Sequence, residues 1–436
     1  MSNNKDQAAI LKKLGISKLN PMQEESQTVI LSYADIILLS PTGTGKTLAF
    51  LLPIITKLES SCKEIQVVIV VPTRELAIQI GQVVQEMGIG YKTLAVYGGQ
   101  SFSNDKVNLK TPPAILIGTP GRIADHLRRK TFSIEKISTI VLDEFDKSLH
   151  IGFEDEMREI INSLEHIKKK ILTSATQSVS IPKFLGLKNP KHINYLNTAS
   201  TQLTVKTIIS PSKDNLEILL ATLEHIGNEP GIIFCNFKES IQRVSDFLFN
   251  YNINHVCFFG GMEQLDREKA LIQFRNGTHR LIIATDLAAR GIDIPEIKFI
   301  IHYQLPLKRE EFIHRNGRTA RMFSDGTAYV FKWDKGSLPD FVESDGIEKL
   351  QKAKPRVITE WKTIYITGGK KDKISKGDIA GLFFKQGNLT KDQLGTIELK
   401  LDCAYVAVQS SQASGLVRLL NNTKLKNKKV RLNIVE

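Results

Sequence analysis

Cysteine is scarce in this chain, with four in 436 residues: Cys62, Cys235, Cys257 and Cys403. They are scattered and none has the spacing of a metal-ligand set, so reduced, packed thiols are expected. No apolar run approaches the ~18 residues that a membrane helix needs. The amino terminus, MSNNKDQAAILKKL, lacks the apolar stretch and small-residue cleavage site of a secretory signal. These absences argue against membrane and secreted classes and lead us to expect a cytoplasmic protein. There is no short-period repeat and no low-complexity segment, which excludes a repeat array. A dimer seam is also missing, so a monomer is the default expectation.

What is present is ordinary in proportion and unusual in distribution. Hydrophobic residues make up 42% and charged residues 24%, as in a soluble globular protein of two or three domains. The net charge is +13, with a pI near 9.3, which suggests a polyanionic partner. Residues 358–436 carry 14 Lys and Arg against 7 Asp and Glu, so over half of the excess charge lies there.

Short apolar runs alternate with helix-length periodic segments. IILL (36–39), VVIVV (67–71), AILIG (114–118), TIVLD (139–143) and KILTS (170–174) read as parallel strands covered on both faces. The pattern breaks near NTASTQLTV (197–205) and resumes with GIIFC, VCFF, LIIATD and FIIHY. Two α/β lobes in tandem are expected, joined near residue 200. Composition shifts again at KGSLPDFVESDG (335–346). Beyond it TIYIT, SKGDIAGLFFKQG, TIELKL, AYVAV, SQASGLVRLLNN and KKVRLNIV read as β-α-β-β-α-β, with Ser375 capping the first helix.

Strand DIILL runs into SPTGTGKT (40–47) and a helical pattern follows, the context that a P-loop requires. Thr42, Gly43, Thr44 and Gly45 form a loop whose glycines let backbone N–H groups face phosphate oxygens. Lys46 supplies a point charge for the β and γ phosphates, and Thr47 a hydroxyl for Mg²⁺. Ser40 stands where the first glycine is usual. About a hundred residues on, IVLDEFD ends a buried strand with Asp143 and Glu144. Asp143 suits a water-mediated hold on Mg²⁺, and Glu144 suits the deprotonation of an attacking water.

Taken in order, GISKLNPMQ, SPTGTGKT, PTRELAIQI, GGQS, TPGR, DEFD, SAT, IIFCN, QLDR, ATDLAARGIDI and HRNGRTAR resemble the motifs of DEAD-box RNA helicases. The resemblance covers nearly the whole chain. It implies two tandem RecA-like P-loop domains with parallel sheets, and RNA-stimulated hydrolysis of ATP with Mg²⁺. Gln23 would then read the adenine edge. Ser174 and Thr176 would link hydrolysis to lobe movement, and Asp293 would approach the ribose. Arg318 and Arg321 would be arginine fingers from the second lobe. Arg74, Gly99, Thr119, Arg122, Arg267 and Thr285 would lie along the RNA backbone, contacting phosphate and 2′-OH rather than bases. Three positions depart from the family pattern: Phe145 replaces an alanine, and Asn316 and Ala320 stand where other residues are usual. The aromatic that stacks on adenine normally lies further upstream than this chain begins, which implies a looser adenine preference.

IYITGGKKDKISKGDIAGLF, AYVAV and KLKNKKVRL resemble the C-terminal RNA-recognition-type domain of the DbpA subfamily, whose members bind a hairpin of large-subunit ribosomal RNA. The octet LDCAYVAV puts Cys403 and Val408 where stacking aromatics are usual, so base stacking on the sheet should be weak. Lys370, Lys371, Lys373 and Lys376 form instead an electrostatic clamp beside a glycine turn. The expected domains are 1–200 (ATP-binding), 201–350 and 358–436. The expected function is local unwinding of RNA duplexes in large-subunit assembly. The rivals are a general RNA chaperone, an ATP-gated RNA clamp without turnover and a DNA-directed motor. Intact Glu144, Arg318 and Arg321 weigh against the clamp, and the RNA-type motifs against DNA.

Overall fold

The structure, a computed structural model, describes residues 6–176, 181–196, 203–286, 297–319, 325–351 and 360–435. The chain divides into two compact units.

The first unit holds β1 (Asp35–Leu39), β2 (Val67–Val70), β3 (Thr93–Val96), β4 (Ile115–Gly118), β5 (Thr139–Leu142), β6 (Lys169–Ser174) and β7 (Lys191–Asn194). They form one sheet in the order β3-β4-β2-β5-β6-β1-β7, and every pairing is parallel. Alternate residues face opposite cores: Ile36 and Leu38 join one cluster, Ile37 and Leu39 the other. Both faces are therefore covered, which is why these strands read as unbroken apolar runs. All strands point one way, so the loops after β1 to β6 gather at one edge, where open α/β sheets bind ligands.

The second unit contains two sheets. β8 (Leu203–Ser210), β9 (Gly231–Phe234), β10 (Val256–Phe258), β11 (Leu281–Ala284), β12 (Phe299–His302) and β13 (Gly326–Trp333) form a parallel sheet in the order β10-β11-β9-β12-β13-β8. β8 begins inside the segment expected to be a break. It pairs with β13 over its whole length as an edge strand. Its polar residues Thr204, Lys206 and Thr207 interrupt the apolar run by which a central strand is recognised.

The last sheet is antiparallel, in the order β15-β16-β14-β19, built from β14 (Trp361–Thr367), β15 (Leu394–Leu399), β16 (Cys403–Gln409) and β19 (Leu432–Ile434). Helices Lys376–Lys385 and Ser410–Leu420 cover one face around Ile366, Phe383, Val406 and Leu416. Ser375 caps the first of them in a reciprocal box with Asp378. A small hairpin, β17 (Lys424–Leu425) with β18 (Lys428–Lys429), adds to the expected order. Among the described residues no helix is long and apolar enough to cross a membrane.

Candidate nucleotide site and nucleic-acid interface

β1 ends at Leu39, and residues 40–45 turn directly into helix Lys46–Lys57. Gly45 has φ 84°, a left-handed conformation that favours glycine, and a Cβ there would lie 2.4 Å from Gln23 Nε2 and displace that amide. The Thr44 hydroxyl donates to the Pro41 carbonyl (2.8 Å), so the buried Ser40 hydroxyl, 2.7 Å away, must donate to Thr44. Ser40 thus ties the loop across its base, which accounts for its replacing glycine. Thr42 and Thr47 are partly exposed. Lys46 folds back, donating to the carbonyls of Ser40 (2.6 Å) and Pro41 (2.9 Å). Burial lowers its pKa to about 8, against the pull of Glu144 and Asp143.

Gln23 sits in a capping box with Asn20 and donates to Gly45 O at 3.2 Å. Its carbonyl oxygen accepts from Asn20 N and its amide nitrogen uses one of two N–H groups. Each end keeps one hydrogen-bonding position, the pair that an adenine edge would need.

Asp143 and Glu144 follow β5. Burial first, and then Glu144, raise the Asp143 pKa to about 6. Thr173 donates to the Asp143 carboxylate and accepts from the Glu144 backbone N–H, fixing the first side chain and the main chain of the second. Glu144 has φ 50°, and its Oε1 lies 2.6 Å from Nζ of the fully buried Lys147. Thr176 donates to Asp146 at 3.0 Å, while Ser174 O accepts from Ser40 N at 3.0 Å. The acidic motif, Ser174–Thr176 and the phosphate loop are one network. Phe145 is buried in the core behind the strand. The sequence singled out neither Thr173 nor Lys147. The one signal was position, Thr173 directly before Ser174 and Lys147 one helical turn after Glu144.

The residues of this unit expected along an RNA backbone also meet. Arg74 packs on Gly98 and Gly99, and a Cβ on Gly99 would fall 2.6 Å from its Nη1. Arg122 donates to Gln100 O at 2.9 Å, next to Gly99. Thr119, buried, stands at the N-cap position of the helix that carries Arg122, without a side-chain capping hydrogen bond.

In the second unit Arg267 lies over the Phe258 ring (4.5 Å), and Thr285 N donates to Phe258 O (3.3 Å), so these two are neighbours. Arg318 is buried in the turn after helix Arg309–Asn316. Asp293, Arg321 and Ala320 lie outside the described residues. Arg315, quoted in the sequence only as part of its motif, is fully buried. It binds Asp286 through two nitrogens (2.7 and 2.5 Å), Gln304 O (2.6 Å) and Asn236 Oδ1 (2.7 Å). Asn316 accepts from His302 Nε2 at 2.9 Å, and burial holds His302 neutral, with a pKa of about 3. A side-chain amide is therefore useful at that position.

At the end of the antiparallel sheet, Lys370, Lys371, Lys373 and Lys376 are all exposed on a well-tied backbone. Lys370 N and Lys371 N donate to Lys400 O and Leu401 O. Gly369 lies so close that a Cβ would sit 2.5 Å from Leu401 O. Lys428 and Lys426 of the hairpin pair with Asp372 and Asp378, both at 2.8 Å. Loop and hairpin form one basic surface.

Comparison with known proteins agrees. Residues 20–184 match the DEAD/DEAH box helicase family, 212–323 the helicase conserved C-terminal domain and 363–434 the DbpA RNA binding domain. The ATP-dependent RNA helicase DbpA of Bacillus subtilis is 30% identical, over 97% of this chain and 96% of that one. Its Escherichia coli counterpart is 31% identical, over 98% and 96%. The chain belongs to the DEAD-box ATP-dependent RNA helicases, in the DbpA subfamily. Solved structures similar to this helicase include Saccharomyces cerevisiae Dbp5 bound to RNA and ADP BeF3 (26% identity, TM-score 0.66, 75% of this chain and 88% of that one). Another is Mss116p bound to ssRNA and AMP-PNP (28%, TM-score 0.68, 76% and 73%). This chain is thus an RNA-stimulated ATPase that acts on RNA.

The helicase does not leave its C-terminal sheet open. Ile272, on helix Gln264–Arg275, packs with Cys403 and Tyr405, and Tyr365 borders the cluster. Tyr365 and Tyr405 meet edge-on at 5.4 Å, and Tyr405 is 3% exposed. Around them Arg275 grips Glu398 through two hydrogen bonds of 2.9 Å. Asn276 donates to Thr363 (2.7 Å), and Lys400 pairs with Glu268 (3.2 Å). In this helicase the face on which RNA-recognition domains stack bases is covered at Tyr405 by the neighbouring lobe, so Tyr405 is core and Tyr365 is half-buried at its border. The same helix carries Arg267.

Proposed function

We propose that this helicase opens short RNA duplexes beside a hairpin of large-subunit ribosomal RNA, gripped by its C-terminal lysine surface, during ribosome assembly. The supporting observation is the pairing of a covered stacking face with an exposed, backbone-tied cluster at Lys370, Lys371, Lys373 and Lys376. Such a surface reads phosphate geometry and shape rather than base sequence. The domains are taken as 1–200, 201–350 and 358–436.

In the motor, Gln23 contacts adenine, and the loop Thr42 to Gly45 cradles phosphate with its N–H groups. Thr47 and Asp143 would hold Mg²⁺. Both offer hard oxygen donors, and a buried carboxylate whose pKa stands at about 6 beside a second carboxylate is relieved by a cation. When bound, the ion offsets charge on the β and γ phosphates. Glu144, oriented by Lys147, takes the proton of the attacking water. Arg318 and Arg321 stabilise charge on the transferred phosphoryl group, and Asp293 holds the ribose. Arg74, Gly99, Thr119, Arg122, Arg267 and Thr285 hold the RNA backbone.

Lys46 makes ATP binding depend on pH. Its pKa is about 8 without nucleotide, and phosphate raises it. A group whose pKa rises on binding favours the complex below the lower pKa and weakens it as pH climbs past that value. ATP binding at pH 8.5 should therefore take up protons, and affinity should fall above pH 8. Calorimetry in two buffers of different ionisation heat reads the uptake directly.

Replacing Lys370, Lys371, Lys373 and Lys376 together by Gln tests the targeting. RNA-stimulated hydrolysis should persist, while the preference for a ribosomal hairpin RNA over an unrelated RNA of equal length falls about tenfold or more. An unchanged preference would favour the general chaperone.

A further inference from the structure

We infer that Asp105, seated on His126, is a positioning residue that presets Arg122 for an RNA phosphate. The inference rests on the reading of Arg122 as an RNA contact.

Asp105 is on helix Phe102–Leu109, and Arg122 and His126 are on helix Pro120–Arg128. Asp105 Oδ2 accepts from Arg122 Nε at 2.8 Å and lies 2.7 Å from Arg122 Nη2, which also donates to Gln100 O. The Asp105 and Arg122 side chains are only 3% and 12% exposed. Behind them His126 is wholly buried, with Nε2 3.3 Å from the same Asp105 oxygen and Nδ1 2.8 Å from Thr131 Oγ1. A carboxylate only accepts, so Nε2 carries the proton. Burial keeps the second nitrogen unprotonated, and it accepts from Thr131. The His126 ring stacks on Phe102 at 4.5 Å, and the Arg122 guanidinium lies 4.9 Å from the centre of the same ring.

The result is a guanidinium fixed in plane and in rotation. Nε and Nη2 are bound to the protein, whereas Nη1 makes no hydrogen bond to a described residue. An arginine held this way loses little rotamer entropy when a phosphate meets Nη1. The arrangement is costly if its only role is structural, because two helices are joined through a buried ion pair with a histidine beneath it.

The sign of the effect separates positioning from simple charge. Asp105 is negative, so removing it should strengthen RNA binding if charge alone counts. Positioning predicts the reverse. In the full-length protein, Asp105→Ala should raise KM for a single-stranded RNA about fivefold to tenfold, with a smaller change in kcat. The slope of log affinity against log salt should shrink by about 0.7, the loss of one phosphate contact. Arg122→Ala should shift KM and slope alike, and the double variant should add nothing further. If Asp105→Ala is unstable, Asp105→Asn keeps the shape and should raise KM by a smaller factor, and the Arg122 Nε–H exchange rate, slow in wild type, should rise. The inference is overturned if Asp105→Ala binds RNA as tightly as wild type, or tighter, while Arg122→Ala is weakened. If Arg122→Ala itself is unaffected, the RNA role of Arg122 falls and the inference with it.

Discussion

Glu144→Gln should lower kcat for RNA-stimulated ATP hydrolysis by about 10²- to 10⁴-fold, the range for loss of a general base. ATP and RNA should still bind, each within a few-fold of wild type. The amide fits the same space and keeps an oxygen for Lys147, 2.6 Å away, so the network through Thr173 and Thr176 survives. What goes is the ability to accept a proton. Asp143 cannot stand in, because Thr173 and its own buried position commit it elsewhere. Steady-state turnover with saturating RNA, together with fluorescent-nucleotide binding, checks both halves. Turnover within tenfold of wild type would remove Glu144 as the base.

The nucleotide site was legible because its parts are contiguous. Ser40 to Thr47 and Asp143 to Asp146 are short strings whose chemistry follows from residue type and from the strand before them. The supporting residues were not legible. Thr173 looks like any strand threonine until β6 lies beside β5 and its hydroxyl falls between the Asp143 carboxylate and the Glu144 backbone N–H. Lys147 looks like a solvated helix lysine, yet it is wholly buried. Arg315 becomes an anchor only when Asp286, Gln304 and Asn236 converge from three loops of the second sheet. Such roles depend on tertiary neighbours, which local pattern does not carry.

The C-terminal domain shows the same division. Its element order and Ser375 cap could be read from alternation and cap chemistry. Of the two residues read as replacing stacking aromatics, Cys403 lies on the face that packs with Ile272 of the preceding lobe, whereas Val408 points the other way, into the helix-covered core with Val406. The cover over Cys403 was hidden from the sequence because it comes from a distant helix. β8 was passed over because an edge strand with Lys206 and Thr204 on it lacks the apolar run of its neighbours.

The second large effect is expected at Arg318. Lys46, Asp143 and Glu144 belong to the first unit and Arg318 to the second. Under the proposed roles, a guanidinium delivered from a separate lobe would make hydrolysis conditional on the lobes meeting, and RNA held by both would favour that meeting. Arginine fingers are worth about 10³- to 10⁵-fold in rate in other nucleotide hydrolases. Arg318→Ala should thus bind ATP within a few-fold of wild type and still bind RNA. It should lose nearly all of the stimulation that RNA gives. Because Arg318 is buried, the thermal midpoint of the variant must be shown to match wild type, and Arg318→Lys, which keeps charge but not the planar fork, should recover only a small part.

The most direct measurement is single-turnover hydrolysis of prebound ATP by Arg318→Ala, with and without saturating RNA, beside wild type. The account predicts that RNA accelerates the wild type strongly and the variant hardly at all, about 10³-fold apart in the presence of RNA. A variant that RNA still accelerates to near the wild-type rate would contradict it.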